Sequence, residues 1–477
     1  GITSLTVTAS GGVSVASGAF FNIGASTFNA SAPVTLAGGT LKSTGTATVN
    51  PAIVMTANSD LSASGGTMTL AGAISGDFTL RTFSSGVFRF ASTGSTFSRL
   101  QLASGSAVLT GNNTLPPQID IFNSANFDLN GFDQSIDFYA SSGTTQNTGA
   151  GATLTIGVAG SSSSFGGANY SGSINGPINV TIAAAGNQIL GSNSSGYTGT
   201  TTVLGRLNIA GTRALGASGA GNGTILASTG ILDLRNVAYA EPEPLTIQGG
   251  RLGASTGTSS FPGPIALNSS AALIGIGSGA STLSLDGVIS GSQGFTKSSG
   301  AGTVVLTQAN TFSGPLVVNS GTLRITGSTA AASAVSFSNG ALEGTGTVGG
   351  PIDMIGGTLA PGVVVGILRT ANVVLAPGVD ASFNINGATL GSEYDQLDVN
   401  GTINLGGANL FLIGSFVPTL GQSLTLIDND GTDPVTGTFN GLPEGATRVF
   451  NGVPLRVSYV GGDGNDVVLT AVQPSVS

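Results

Sequence analysis

Leu70-Ala71-Gly72-Ala73-Ile74-Ser75-Gly76 returns as Tyr170-Ser171-Gly172-Ser173-Ile174-Asn175-Gly176, and again as Leu285-Asp286-Gly287-Val288-Ile289-Ser290-Gly291. In each copy an aromatic residue follows the last glycine by 21 positions: Phe97, Tyr197 and Phe312. The copies lie 100 and 115 residues apart, and short apolar alternations fill the intervals. Such self-similarity marks units stacked in series, each too small to bury its own apolar face. It favours a long surface that binds or builds over a single catalytic pocket.

The sequence around these copies reads as strand and turn. Leu5-Thr6-Val7-Thr8, Ser106-Ala107-Val108-Leu109-Thr110 and Thr303-Val304-Val305-Leu306-Thr307 are short, rich in β-branched residues and bounded by Gly, Asn or Ser. No stretch carries a convincing helical apolar stripe. The strands follow one another too closely for helical crossovers, which predicts an all-β chain wound as a parallel β-helix, that is, a β-solenoid. One coil buries only a narrow apolar row, and stacking joins the rows into a continuous core at about 4.8 Å per coil. Glycine takes the corners, where positive φ is needed. At roughly 20 residues per coil, residues 1–355 would form roughly 17 coils and a rod about 80 Å long. Residues 356–477 read as a second, acidic β module that continues or caps the solenoid. It opens with Leu359-Ala360-Pro361-Gly362 and Leu375-Ala376-Pro377-Gly378, two turns 16 apart.

Composition narrows the function. Only 7% of the 477 residues are charged, against about a quarter in ordinary soluble proteins. The 78 glycines follow no three-residue period, which excludes collagen. Abundant Val, Ile and Leu with little charge argues against disorder. There is no Cys, His or Trp. That removes disulfides, thiolate chemistry and Cys-bound metals, and with them the commonest general base. Residues 1–360 hold 12 acids and 10 bases, and residues 361–477 hold 10 acids and 3 bases. No basic patch follows phosphates, so nucleic acid is not an expected partner. The longest apolar runs, 271–276 and 363–368, are far short of a transmembrane segment. The sequence opens at Gly1 without Met or signal peptide and reads as the mature form of a secreted chain.

Gly302-Thr-Val-Val-Leu306-Thr-Gln-Ala-Asn310-Thr-Phe312-Ser-Gly314, followed by Asn319-Ser-Gly321-Thr-Leu323, resembles the autotransporter-associated β-strand repeat. Residues 186–190 and 196–199, followed by Gly205-Arg-Leu207, resemble a second copy, and residues 86–97 a degenerate third. Tyr394-Asp-Gln-Leu397-Asp-Val-Asn-Gly401, Ile427-Asp-Asn-Asp-Gly431, Gly437-Thr-Phe439 and residues 461–467 are similar to the segment that often follows such repeats. The resemblance implies a bacterial exported β-solenoid, passenger-like and located outside the cell or on its surface. These repeats are scaffolds, so it implies little about activity. No barrel translocator and no hydrophobic sorting tail follows in the sequence.

Two oxygen-rich turns are candidate metal sites. Gly461-Gly462-Asp463-Gly464-Asn465-Asp466-Val467-Val468 matches one copy of the Gly-Gly-x-Gly-x-Asp calcium nonapeptide. Asp428-Asn429-Asp430-Gly431-Thr432-Asp433 is the second. Calcium takes several oxygens from flexible, glycine-rich backbone, so the candidate ligands are Asp428, Asp430, Asp433, Asp463, Asn465 and Asp466. The competing reading is two solvated turns between strands. Asp120, Asp128, Asp133 and Asp137 also cluster, and carboxylate pairs perform glycoside hydrolysis. Their alternation with apolar neighbours marks a solvated outward face instead, and no enzyme activity is expected. The pairs Thr6/Thr8, Thr46/Thr48 and Thr67/Thr69 are spaced by 40 and 21, too irregularly for an ice-binding ladder.

Residues 1–41 contain no charged residue. The first coil of a solenoid presents unpaired backbone groups, which soluble monomers normally blunt. A second copy, meeting this edge with its final strand at 466–472, would extend head to tail as a homopolymer. The expected function is therefore a non-enzymatic extracellular structural protein that forms surface or matrix fibres. The alternatives are an autotransporter-like adhesin or stalk whose lateral face binds carbohydrate or cells, and a polysaccharide-active enzyme using the Asp120–Asp137 face.

Overall fold

The computed structural model describes residues 5–9, 12–159, 169–219, 221–276, 281–298 and 300–474. Every regular element among them is a strand, and the chain winds as a parallel β-solenoid of about 17 turns. It divides into two compact units, residues 1–233 with 239–244 and residues 234–238 with 245–477.

In the first unit each turn lays strands on parallel ladders. One ladder runs from Leu5–Ala9 through Ser26–Ala30, Ala47–Val49, Thr67–Leu70 and Val87–Phe90 to Gly196–Tyr197. A second begins with Phe20–Asn22 and Thr40–Ser43 and includes Arg206–Ile209. The third direction is taken by Val13–Ala16, Val34–Ala37 and Ile53–Ala57, and later by Gln134–Ile136, Ala152–Ile156 and Ile178–Ile182. Side chains alternate inward and outward along each strand. Phe28, Val49, Leu70, Phe90 and Leu109 therefore stand in register as one buried column. Each such side chain contributes about 1.5–3 kcal/mol through burial.

Thr27, Thr48 and Thr69 face one another at intervals of 21 residues. Thr6 pairs with Thr27, although the side chains of residues 1–11 lie outside those described. The threonine column is thus regular, contrary to the irregular spacing read from sequence, because Thr27 stands outside any Thr-x-Thr pair. It ends at Arg89, the next rung after Thr69.

The repeated motif has a steric origin. A Cβ on Gly72, Gly172 or Gly287 would lie 2.1, 1.9 or 1.9 Å from the carbonyl oxygen of Pro51, Gly143 or Gly263 on the preceding turn. The closing glycines Gly76, Gly176 and Gly291 have φ of +119°, +93° and +122°, a region costly for other residues. Between them Ile74, Ile174 and Ile289 are buried, as are the aromatics Phe97, Tyr197 and Phe312.

The second unit, taken by itself, is also wound from parallel ladders. Thr258–Phe261, Thr282–Leu285, Thr303–Leu306, Thr322–Ile325 and Ala341–Gly344 form one parallel ladder. Parallel pairing persists beyond residue 356, through Thr358–Pro361, Asp380–Asn384 and Asn409–Ile413, and through Ile367–Thr370, Gln396–Val399 and Ser423–Asn429. The register interval lengthens there. Thr303 faces Thr322, whereas Asp380 faces Asn409.

Strand direction then reverses. Ser423–Asn429 pairs antiparallel with Asp466–Ala471, which pairs on its other side with Val453–Gly461, and Thr447–Phe450 follows. The final strand, expected to present an open edge to a second copy, is therefore paired on both sides. Its consecutive Val467, Val468 and Leu469 are all buried. Both faces are covered, as in a central strand.

Candidate functional site

The reversal at residues 423–471 brings the two oxygen-rich turns together. Asn429 ends one strand and Asp466 begins its antiparallel neighbour, and the Asn429 N–H donates to Asp466 Oδ1 at 3.0 Å. The carbonyl of Asp433 accepts from Nδ2 of both Asn429 (2.8 Å) and Asn465 (3.0 Å). Asn465 Nδ2 also reaches the carbonyl of Asp430 at 3.3 Å. Asp430 itself turns outward, and its Oδ1 accepts the N–H of Gly401 at 2.7 Å. Asn429 and Asn465 are buried, Asp433 is half-buried, and Asp428, Asp430 and Asp463 are exposed. Gly462 permits the tight return: its φ is +56°, and a Cβ there would lie 1.7 Å from Asp466 Oδ2.

Three oxygens at this junction have no donor among the described residues: Asn429 Oδ1, Asp433 Oδ2 and Asn465 Oδ1. Buried oxygens without donors are costly and uncommon in native structures. Negative charge is also concentrated here. The Asp428 carboxyl is pushed above its ordinary range, first by burial and then by the carboxylates of Asp466, Asp398, Asp463 and Asp430. Burial, with Asp463 adding to it, raises Asp466. Asp398 faces Asp428 in register, and its other neighbour on the ladder, Arg369, lies 3.4 Å from it. No three Asp, Glu, His or Cys side chains among the described residues are placed to hold one metal ion. The buried oxygens without donors belong to two amides and one carboxylate. Asn429 stood inside the turn 428–433 but was not counted among its ligands, and Asp398 escaped the sequence reading because it is 30 residues from its neighbour Asp428.

The Asp120–Asp137 segment requires a correction, because two of its four acids do not form a solvated face. Asp128 is buried and accepts from the N–H groups of Asn130 (2.9 Å) and Thr148 (3.1 Å) through Oδ1. Its Oδ2 accepts from Thr148 Oγ1 at 2.8 Å and Gln146 Nε2 at 3.3 Å. Asp137 is buried and accepts the Ala159 N–H at 2.9 Å. Asp133 is exposed and accepts the Thr153 N–H at 2.6 Å. Asp120 is half-buried, faces Arg99 in register and lies 3.3 Å from it. A short carboxylate at a corner folds back onto backbone donors of the next turn.

Other ionisable groups are absorbed by the coil. Glu243, buried beside Thr224, is pushed up to about 7 by burial. Asp395 is pushed up to about 6 by burial, although it accepts from the N–H groups of Gly366 and Asn384. Lys297 is lowered to about 8 by burial, and its Nζ donates to the carbonyls of Ser320 (2.5 Å) and Gly300 (3.3 Å). On the lateral face of the first unit, Asn58, Asp60, Thr79, Arg81 and Gln101 line a shallow open pocket. Arg81 pairs with Asp60 at 2.8 Å and stacks over the exposed Phe83.

Residues 299–325 match the family model described as the passenger-associated-transport-repeat. The autotransporter-associated β-strand repeat read from the sequence is therefore present in this chain. No curated protein matches the chain.

Proposed function

We propose that this chain, carrying the passenger-associated transport repeat at residues 299–325, is a non-catalytic, passenger-type scaffold held outside a bacterial cell. One observation carries the reading: the matched segment is a single turn of the coil. Its strands Thr303–Leu306 and Thr322–Ile325 are successive rungs of one ladder, with Leu316–Val318 on another between them. A module that adds one rung at a time builds length and surface, not a pocket. The non-catalytic part of the reading is supported by Asp128 and Asp137, whose carboxylates are engaged with backbone donors. Antibody labelling of intact native cells tests the location. Surface label that external protease removes supports it. Label that appears only after permeabilisation overturns it.

The lateral face of the first unit supports the adhesin form of this scaffold. Amide, carboxylate and guanidinium groups beside an exposed aromatic ring can meet the hydroxyls and apolar faces of sugars. Binding of surface polysaccharide that is lost in Arg81→Ala would support it.

Assembly into fibres is the second reading. Among the described residues Leu5–Ala9 is paired with Ser26–Ala30, Val13–Ala16 with Val34–Ala37 and Phe20–Asn22 with Thr40–Ser43, each on one side. These edges accept either a preceding segment of chain or a second copy. The partner edge would be Thr447–Phe450 rather than Asp466–Ala471, since only the former is paired on one side. Electron microscopy of purified protein separates fibres from single particles.

A further inference from the structure

We propose that the oxygens of Asn429, Asp433 and Asn465 form a calcium site that ties the closing antiparallel strands to the last parallel turn. The inference does not depend on where the chain resides. It begins from the three buried side-chain oxygens without donors among the described residues, Asn429 Oδ1, Asp433 Oδ2 and Asn465 Oδ1. All three belong to residues joined through one group: the amides of Asn429 and Asn465 both donate through Nδ2 to the backbone carbonyl of Asp433, at 2.8 and 3.0 Å. Asn429 and Asn465 are only 1% and 4% exposed, so their oxygens are fixed and not free to turn towards bulk water.

The chemistry selects the ion. Neutral amide oxygens and a carboxylate are hard donors suited to Ca²⁺, which tolerates irregular sets of six to eight oxygens and can complete them with water. Zinc favours nitrogen and sulfur, and the chain has no His or Cys. Magnesium demands near-octahedral geometry and holds on to its waters. The surrounding carboxylates of Asp428, Asp463 and Asp466 supply the counter-charge. The ligand set differs from that of a nonapeptide site, because Asp466 Oδ1 is engaged by the Asn429 N–H. The ion would thus be shared by one strand end and two turns, which explains why a single nonapeptide copy suffices.

The experiment is calcium titration by calorimetry on the full chain after chelator treatment. The expected result is one saturable site per chain, with Kd of roughly 10⁻⁴ to 10⁻³ M, the range of extracellular modules. Asp433→Asn preserves shape and should weaken binding at least about tenfold, the scale on which site chemistry tunes metal affinity. Asn465→Ala should abolish it. Asp433→Asn should melt like the wild type when chelator is present, whereas Asn465→Ala also loses its bonds to the carbonyls of Asp430 and Asp433 and should melt lower. Should Asn465→Ala fail to fold, Asp433→Asn decides alone. A wild-type chain without saturable calcium binding overturns the proposal, and so does binding that Asp433→Asn leaves unchanged.

Discussion

The backbone N–H of Ile289 donates to Oδ1 of Asn310, 2.9 Å away and 21 positions along the chain. The other copies of the motif repeat the bond with a smaller residue: Ile74 N–H to Ser95 Oγ at 3.1 Å, and Ile174 N–H to Ser195 Oγ at 3.4 Å. In every copy the acceptor stands two residues before the buried aromatic. Each isoleucine is paired in register with the preceding turn, and a side chain from the next turn, in place of a backbone carbonyl, accepts its N–H. Asn310→Ala should cost about 1–3 kcal/mol, the penalty of a buried donor left unsatisfied. Asn310→Ser should recover part of that loss, as the other copies indicate. Urea unfolding of the full chain measures both.

Gly287→Ala tests the close approach of successive turns. The added methyl would lie 1.9 Å from the Gly263 carbonyl oxygen, and backbone there cannot retreat without moving its ladder. Overpacking of this kind costs about 1–3 kcal/mol. Gly151→Ala is the control, since nothing lies within 4 Å of its Cβ position. It should change stability by less than about 0.5 kcal/mol. Equal effects would show that the motif glycine has no steric role.

Glu243 predicts a pH dependence. Burial raises its folded-state value to about 7 from an ordinary 4.5, opposed by the Thr224 hydroxyl. The folded chain therefore holds this proton more tightly than the unfolded chain. Its contribution is fully present below about 4.5 and is lost as pH rises through about 7. Urea midpoints compared between pH 5 and pH 8 should fall by less in Glu243→Gln than in the wild type. An identical pH profile in the two proteins would remove Glu243 as the cause.

Asp128→Ala should destabilise the first unit by about 1–3 kcal/mol, because it leaves the N–H groups of Asn130 and Thr148 without their carboxylate acceptor. Thermal melting provides the measure. An unchanged melting temperature would return Asp128 to the solvated role read from its alternation.

The winding was legible because it rests on residues with no substitute. Gly72, Gly172 and Gly287 are dictated by a neighbouring carbonyl, and the 21-residue interval is the length of the turn that follows each copy. The destinations of Asp128 and Asp137 were not legible. Alternation says which way a strand residue points, but a corner residue is not held to that rule. The reversed final strand was half legible. Val467-Val468-Leu469 is a continuous apolar run, which marks a strand covered on both faces. Nothing local specifies that its neighbours run antiparallel. The meeting of Asn429 with Asn465 depends on that reversal, so neither turn could announce it alone.

The hairpin between Val453–Gly461 and Asp466–Ala471 closes through a loop of four residues, whereas a parallel rung such as Thr303 with Thr322 must first close a far longer one. Loop-closure entropy ranks these events, and short-range contacts form soonest. The closing hairpin, with Thr447–Phe450 beside it, can therefore assemble ahead of the turns it abuts. Once formed, its Asp466–Ala471 edge is a template for Ser423–Asn429, from which zippering would proceed towards lower residue numbers.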